Sequence, residues 1–169
     1  MASEAHYDPH VADALDLTAH LPEHEFAPGR VIVEEGGSDP GIWLLVSGSL
    51  RVRKGETVIS TITEPGAIVG EISVLLGTTN GATVDAIEPS RLRYAADGRA
   101  LLSDPAVMAL VAVGLAERLN LVTAYLADLK HQYADAPGLS MVSDVLSRLV
   151  ERAGPAVHPG SARDPDPTY

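Results

Sequence analysis

Between positions 23 and 95, hydrophobic and polar residues follow short strand-like patterns that are separated by turn-forming residues. The stretch Leu50–Lys54 alternates strictly, which predicts a β-strand with Arg51 and Arg53 on its outer face. The stretch Ile42–Val46 is apolar throughout, as expected of a strand buried on both faces. Four further stretches have strand character: Val31–Glu34, Thr57–Thr63, Ala82–Ile87 and Arg91–Tyr94. Strands at this spacing predict a sandwich or barrel, with a jelly roll as the leading candidate.

Beyond position 95 the hydrophobic period lengthens to that of an α-helix. Asp104 is a suitable N-cap and Pro105 suits the first turn, so a helix is predicted from there to about Lys130. Its apolar residues are spaced alternately by four and three: Met108, Ala112, Leu115, Leu119, Val122, Leu126 and Leu129. This heptad spacing favours a homodimer through residues 105–130. The alternative is a single broad apolar face that packs within a monomer.

These patterns define the fold class and divide the chain into four parts. We expect a mainly β protein with flanking helices, namely a jelly-roll (double-stranded β-helix) barrel followed by a long C-terminal helix. Residues 1–22 are predicted to form an N-terminal helical segment, residues 23–130 the barrel and dimerisation helix, and residues 131–153 a residual helix. Residues 154–169 carry four prolines and are expected to be a disordered tail.

Composition narrows the classes of function. The chain has 169 residues, a formal net charge of -11 at pH 7 and no cysteine, which excludes disulfides, thiolate metal sites and cysteine nucleophiles. An acidic chain with 4% aromatic residues lacks the basic face and stacking platforms of nucleic-acid-binding proteins. The N-terminus has no signal-peptide pattern, and the longest apolar stretch, around residues 107–115, is too short to span a bilayer. We therefore expect a cytoplasmic protein without a membrane partner.

The residue pattern contains no recognisable catalytic or metal-binding arrangement. None of the six histidines lies within the predicted strands beyond their first edge. His20, Glu23 and His24 have a ligand-like spacing, but Pro22 breaks the helix that would align them. Neither a Gly-x-Ser-x-Gly motif nor a phosphate-binding loop ending in Lys-Ser/Thr occurs. We expect no enzyme activity, no metal site and no cofactor.

The segment around Gly70 has the outline of a small ligand pocket. A strand is predicted to end at Gly70 and a short helical turn to begin at Glu71. The first turn of a helix presents free backbone N–H groups, and glycine allows close approach to them. The Glu71 carboxylate is an acceptor suited to sugar hydroxyls, so the ligand predicted by this combination is anionic and carries a ribose. The alternative is a tight corner between two strands of the barrel.

Six segments share the glycine and apolar spacing of one known family. They are Phe26–Ile32, Ile32–Gly36, Gly41–Val52, Gly66, Gly70–Ser73 and Ala82–Val84. As a set they resemble the cyclic nucleotide-binding domain family, including the catabolite-activator-type regulators, over roughly residues 10–153. The resemblance implies an eight-stranded jelly roll, a phosphate-binding cassette at residues 66–84, and a long helix that makes the dimer and relays ligand binding.

The resemblance also implies roles for individual residues. Glu71 would accept a hydrogen bond from the ribose 2′-hydroxyl, and Thr83 would line the pocket. Backbone N–H groups of Ile72, Ser73 and Ala82 would face the cyclic phosphate. Asn120 and Thr123 of the long helix lie at positions where members of the family can contact the base. The full predicted set is Gly70, Glu71, Ile72, Ser73, Asn80, Gly81, Ala82, Thr83, Asn120 and Thr123.

One position departs from the family pattern. The family usually has an arginine beside the phosphate, whereas this chain has Asn80 followed by Gly81. A charge-assisted hydrogen bond is worth about 1.5–3 kcal/mol, so its loss would weaken phosphate binding roughly tenfold to a hundredfold. Four arginines, Arg51, Arg53, Arg91 and Arg93, are assigned to the outer face and are not expected to replace it. Asn-Gly is also a type I′ turn signal, and a plain turn is predicted there.

The C-terminal region indicates which kinds of partner, DNA or protein, the chain is expected to bind. Ser143–Ala153 resembles the first helix of the winged-helix domain of catabolite-activator-type regulators, and no complete helix-turn-helix is expected to follow it. We predict a stand-alone regulatory sensor domain that binds a cyclic nucleotide or related small anion, acts on an unknown protein partner and does not bind DNA. The alternatives are a ligand-free scaffold or interaction module with this fold, or a truncated transcription regulator.

Overall fold

The structure, a computed structural model, describes residues 14–132 together with Val145 and Arg148. The chain divides into two compact units, Met1–Gly114 and Leu115–Tyr169. Helical residues 14–17 agree with part of the predicted N-terminal helix. The predicted residual helix at 131–153 and the tail at 154–169 lie almost wholly outside the described residues.

Eight antiparallel strands form two four-stranded sheets, as predicted for a jelly roll. The strands are β1 (Glu23–Phe26), β2 (Val31–Val33), β3 (Ile42–Ser47), β4 (Leu50–Lys54), β5 (Thr57–Ile62), β6 (Ile68–Val69), β7 (Thr83–Ala86) and β8 (Ser90–Ala95). One sheet has the order β1-β8-β3-β6 and the other β2-β7-β4-β5. This order places β7, the strand after the predicted cassette, between β2 and β4.

The core of the first unit confirms the faces predicted from residue alternation. Leu45, Leu50 and Leu92 are fully buried in one hydrophobic cluster, and Val52 packs against it. Arg51 and Arg53, at the intervening positions of β4, hydrogen-bond to Asp85 of β7. The alternation in β4 therefore separates an apolar inner face from a charged outer face.

An aromatic group lies on the sheet of β1, β8, β3 and β6. Trp43, the single tryptophan of the chain, has its ring centroid 4.3 Å from that of Tyr94 and 5.3 Å from that of Phe26. His24 lies edge-on to the same indole at 5.5 Å. The indole N–H is buried and has no hydrogen-bond partner in the described part of the chain.

The turn between β3 and β4 depends on a glycine. Gly48 has φ of 107°, which residues with a Cβ rarely adopt. Its Cα faces the start of β8, because a Cβ there would lie 2.3 Å from the Ser90 hydroxyl and 2.6 Å from the Ser90 Cα. The Ser90 Oγ also accepts a hydrogen bond from the Ser49 N–H at 3.1 Å. The turn is thus fastened directly to the start of the neighbouring strand β8.

Three helices follow or interrupt the strands: α1 (Glu71–Leu76), α2 (Gly98–Leu102) and α3 (Pro105–Gln132). The capping role predicted for Asp104 is confirmed, because its Oδ1 accepts from the Ala106 N–H at 2.8 Å. The short helix α2 lies within the region after residue 95 that was predicted to be helical, and its N-cap is Asp97, which accepts from the Ala100 N–H. Sequence periodicity alone does not mark the break at residues 103–104.

The second unit contains the C-terminal part of α3. Several of its apolar side chains are exposed, namely Leu119, Leu121, Val122 and Tyr125. By length and composition alone, residues 105–129 of α3 would reach across a bilayer, a property that core helices of soluble proteins share. Glu117 and Arg118 lie in the middle of that stretch, where a charged side chain costs about 2.5–3.5 kcal/mol in a membrane.

Candidate ligand-binding site

The start of α1 matches the corner predicted from Gly70 and Glu71. Gly70 is the N-cap residue with φ of 94°, and no side chain of the described residues caps the helix. A Cβ at Gly70 would lie 3.1 Å from the Gly41 carbonyl oxygen, so the two chain segments approach closely here. Glu71 is only 3% exposed, whereas Ile72 is about half exposed. The helix therefore directs Glu71 inward and Ile72 toward solvent.

Asn80 joins the two ends of the predicted cassette. The Ser73 hydroxyl lies 2.9 Å from the Asn80 Oδ1 and 2.9 Å from the Gly70 carbonyl, and its single proton can be donated to one of them at a time. The Asn80 Nδ2 donates to the Glu34 carbonyl at 3.2 Å. Because Asn80 is 7% exposed, its side chain is part of the protein interior rather than of a surface turn.

The type I′ turn predicted at Asn80-Gly81 is wrong. Such a turn needs positive φ at both residues, and the φ of Gly81 is not positive. The backbone of Asn80 instead pairs with the turn after β2: its N–H donates to the Gly37 carbonyl and its carbonyl accepts from the Gly36 N–H, both at 2.8 Å. Tertiary pairing has overridden the local turn preference.

The turn after β2 also holds the end of the cassette. The Glu35 N–H donates to the Thr83 hydroxyl at 3.0 Å, which ties Thr83 to this turn. Ala82, the residue before it, is partly buried. Eight of the predicted site residues, those at 70–73 and 80–83, thus belong to one region that the Ser73–Asn80 contact closes.

A cation near this region was missed by the sequence reasoning. Lys54, the last residue of β4, donates from Nζ to the Gly81 carbonyl at 2.7 Å and to the Glu35 Oε1 at 3.2 Å. The other Glu35 oxygen accepts from the Gly55 N–H, and this bond, followed by that of Lys54, lowers the pKa of Glu35 below its usual value. Nothing in the spacing of positions 35, 54 and 81 indicates that the strand order brings them together.

Replacing Asn80 with alanine is expected to lower the free energy of unfolding by about 1–3 kcal/mol, because buried hydrogen-bonding groups lose their partner. The neighbouring substitution Thr79→Ala is the matched control, since Thr79 is exposed. Urea unfolding of both variants measures the effect. Equal stability of the two variants would contradict the assigned role of Asn80.

The outer-face arginines predicted not to reach the phosphate are engaged elsewhere. Arg51 and Arg53 converge on Asp85, with N–O distances of 2.6 Å and 3.0 Å. The Asp85 side chain is 3% exposed, whereas those of Arg51 and Arg53 are 43% and 31% exposed. The three side chains form an ion-pair cluster on the strand pair β4–β7.

The two predicted base-contacting residues, Asn120 and Thr123, belong to the second unit. Asn120 is exposed. The Thr123 hydroxyl donates to the Leu119 carbonyl one turn earlier in α3, at 2.8 Å. Their assignment to a ligand site stays a prediction.

A groove of about 360 Å³ lies beside α1. It is lined by Ser38, Asp39, Pro40, Ser73, Val74, Gly77, Thr78, Thr79, Asp97 and Arg99. Of the predicted site residues it contains only Ser73, so the groove overlaps the predicted site at that residue alone.

Comparisons with known proteins agree with this architecture. A family model described as the cyclic nucleotide-binding domain matches residues 23–103. No curated protein sequence matches the chain.

Solved structures with the same fold are distant in sequence. The chain is similar to PKAR CBD2 bound to Sp-2Cl-cAMPS, with 18% identity, a TM-score of 0.54, and coverage of 73% of this chain and 88% of that one. It is also similar to the catabolite activator protein of Thermus thermophilus, with 22% identity, a TM-score of 0.54, and coverage of 90% and 89%.

A third similar structure is the regulatory subunit of a cAMP-independent protein kinase A from Trypanosoma brucei. The identity is 22% and the TM-score 0.51, over 65% of this chain and 40% of that one. At these identities the likeness concerns the fold, whereas the family match covers β1 to β8, the cassette and α2. The part of the chain from residue 23 to residue 103 therefore belongs to the cyclic nucleotide-binding domain family.

Proposed function

We propose that the chain is a non-enzymatic, cytoplasmic sensor that binds a cyclic nucleotide or related small anion and regulates a separate protein partner. The family match over residues 23–103 is the observation that carries this proposal. In support, eight of the ten residues predicted to bind the ligand, those at 70–73 and 80–83, lie around the start of α1 and the start of β7.

The proposed binding mode relies on the main chain for the phosphate. Asn80 is occupied by Ser73 and the Glu34 carbonyl, so its role is to hold the cassette together. The proposed mode assigns the phosphate to the backbone N–H groups of Ile72, Ser73 and Ala82, and the ribose hydroxyl to the Glu71 carboxylate. Without a charged donor, affinity should be roughly tenfold to a hundredfold below that of a site with one.

Titration calorimetry with a panel of cyclic mononucleotides and dinucleotides tests this function. We expect heat with at least one of them, and loss of that heat in Glu71→Ala, which removes the ribose acceptor. The exposed Glu25, on β1, supplies the control substitution Glu25→Ala. Absence of both heat and thermal stabilisation with every member of the panel would refute ligand binding of this kind.

A ligand-free scaffold is the second candidate, and the contacts of Asn80 favour it. A side chain that closes the cassette from within leaves the domain intact without a ligand. The cAMP-independent regulatory subunit from Trypanosoma brucei has a similar fold. If the native protein binds none of the nucleotides while Asn80→Arg acquires binding, the scaffold function is supported.

A DNA-binding regulator is the third candidate, because the catabolite activator protein of Thermus thermophilus shares the fold. The net charge of -11 opposes approach to a polyanion, so no sequence-specific binding is proposed for this chain. A specific, salt-sensitive band shift with genomic fragments would contradict this.

Dimerisation through residues 105–130 is also proposed, and it predicts a change in solution mass. Leu119 and Val122 belong to the heptad-spaced apolar residues of the predicted helix, which form the heptad seam. They are 40% and 49% exposed, so a second copy would cover them. The double variant Leu119→Asp/Val122→Asp should be monomeric in sedimentation equilibrium, whereas the native chain should be dimeric. Leu121→Asp, off the seam, is the control and should stay dimeric. An unchanged mass for the double variant would overturn the proposal.

A further inference from the structure

The peptide that links Gly81 to Ala82 has a hydrogen-bonded carbonyl, whereas its N–H has no partner among the described residues. Lys54 Nζ donates to the Gly81 carbonyl at 2.7 Å. The Ala82 N–H has no hydrogen-bond acceptor within the part of the chain that the structure describes. In a planar trans peptide the C=O and N–H point to opposite sides, so the Ala82 N–H points away from Lys54.

Without the hydrogen bond from Lys54, few contacts would fix the orientation of the Gly81–Ala82 peptide. No atom of the described residues lies within 4 Å of the position of a Cβ at Gly81, and glycine has the widest backbone freedom of any residue. Asn80 before it and Thr83 after it are held by the turn following β2. The Lys54 bond is therefore the contact that selects the orientation of the intervening peptide.

We propose that Lys54 is a positioning residue. Its hydrogen bond turns the Ala82 N–H toward the proposed phosphate site, so that this N–H donates to an anionic phosphate on the ligand. This inference rests on the function proposed above. Lys54 is paired with Glu35, so its charge is balanced locally. Its effect on the ligand is therefore directional, through the peptide, and not a direct ion pair with the phosphate.

The orientation itself is tested by NMR on the native chain and on Lys54→Met. Loss of the hydrogen bond should move the carbonyl ¹³C resonance of Gly81 upfield and change the amide resonance of Ala82. Lys54→Arg retains a donor and should restore both. Arg30→Met removes one positive charge from an exposed residue and should leave both unchanged. Unchanged Gly81 and Ala82 resonances in Lys54→Met would overturn the proposal.

The consequence for binding is tested by calorimetry with cyclic AMP and with adenosine, which lacks the phosphate. Lys54→Met should weaken cyclic AMP binding by about three- to tenfold, the value of one hydrogen bond, and leave adenosine binding unchanged. The loss should be the same at low and high salt, because screening weakens a direct ion pair but not an oriented amide. Equal affinity of native chain and Lys54→Met, or a loss that disappears at high salt, would refute the positioning role.

A failure of the proposed function gives a different result. If the native chain binds no cyclic nucleotide, inorganic phosphate is titrated while the Ala82 amide resonance is followed. A response in the native chain that Lys54→Met lacks supports the positioning role although the nucleotide function has failed. No response in either protein rejects both.

Discussion

Replacing Gly48 with alanine is expected to be the most damaging single change in the barrel, lowering the free energy of unfolding by about 2–5 kcal/mol. Positive φ costs a residue with a Cβ about 1–2 kcal/mol, and overpacking costs about 1–3 kcal/mol more. Both apply at Gly48, where φ is 107° and the new Cβ would lie 2.6 Å from the Ser90 Cα. Relief requires β3 and β8 to separate at this turn.

Gly81→Ala supplies the control for this prediction, because the chemical change is identical. In the described part of the chain no atom lies within 4 Å of the Cβ position at Gly81, and the φ of Gly81 is not positive. Its effect on stability should stay within about 0.5 kcal/mol. Urea unfolding followed by circular dichroism measures both variants. If the two glycines tolerate alanine equally well, the close approach of Gly48 to Ser90 is not what the turn requires.

The second large effect is expected at the ion-pair cluster on β4 and β7. Asp85→Asn should lower the free energy of unfolding at pH 7 by about 1–3 kcal/mol, since a buried charge-assisted interaction is lost. The partly exposed arginines can recover hydrogen bonds from water, which keeps the loss in this range. Glu23→Gln is the control, because the Glu23–Arg91 pair is more exposed and should contribute at most about 1 kcal/mol.

The contribution of Asp85 should depend on pH in a defined direction. Burial alone raises the pKa of Asp85, but hydrogen bonds from Arg51 and Arg53 outweigh it, so the pKa falls below its ordinary value of 3.8. A lowered pKa in the folded state means that the stabilisation is complete above the unfolded-state pKa and disappears as the pH falls through the folded-state pKa. The difference between native chain and Asp85→Asn should thus be constant above about pH 5 and shrink below about pH 4. A difference that grows on acidification would contradict the assignment.

The sequence predicted the faces of the strands better than the contacts between them. The alternation in Leu50–Lys54 places the apolar residues Leu50 and Val52 inward and the two intervening arginines outward, and the structure confirms this. Their shared partner Asp85 was not predicted, because periodicity within a strand does not reveal which strand lies next to it. The order β2-β7-β4-β5 decides that pairing.

In the candidate site, too, features set by neighbouring residues were predicted and contacts between distant residues were not. The corner at Gly70 and Glu71 is local, and its glycine and helix start were predicted from neighbouring residues. The role of Asn80 is not local: the Asn-Gly turn preference loses to backbone bonds with Gly36 and Gly37, more than 40 positions earlier. Lys54 was missed for the same reason, since its contact with Gly81 is visible only after the strands are assembled.

Trp43 is the single tryptophan of the chain and packs among aromatic neighbours, so it serves as an intrinsic fluorescence probe. With one tryptophan in the sequence, all indole emission originates from the sheet of β1, β8, β3 and β6. Tyr94, with ring centroids 4.3 Å apart, is close enough to pass its excitation to the indole, so excitation of tyrosine also reports on this packing. Separation of that sheet would end the transfer and shift the emission to longer wavelength, so the unfolding experiments above can be followed without a label.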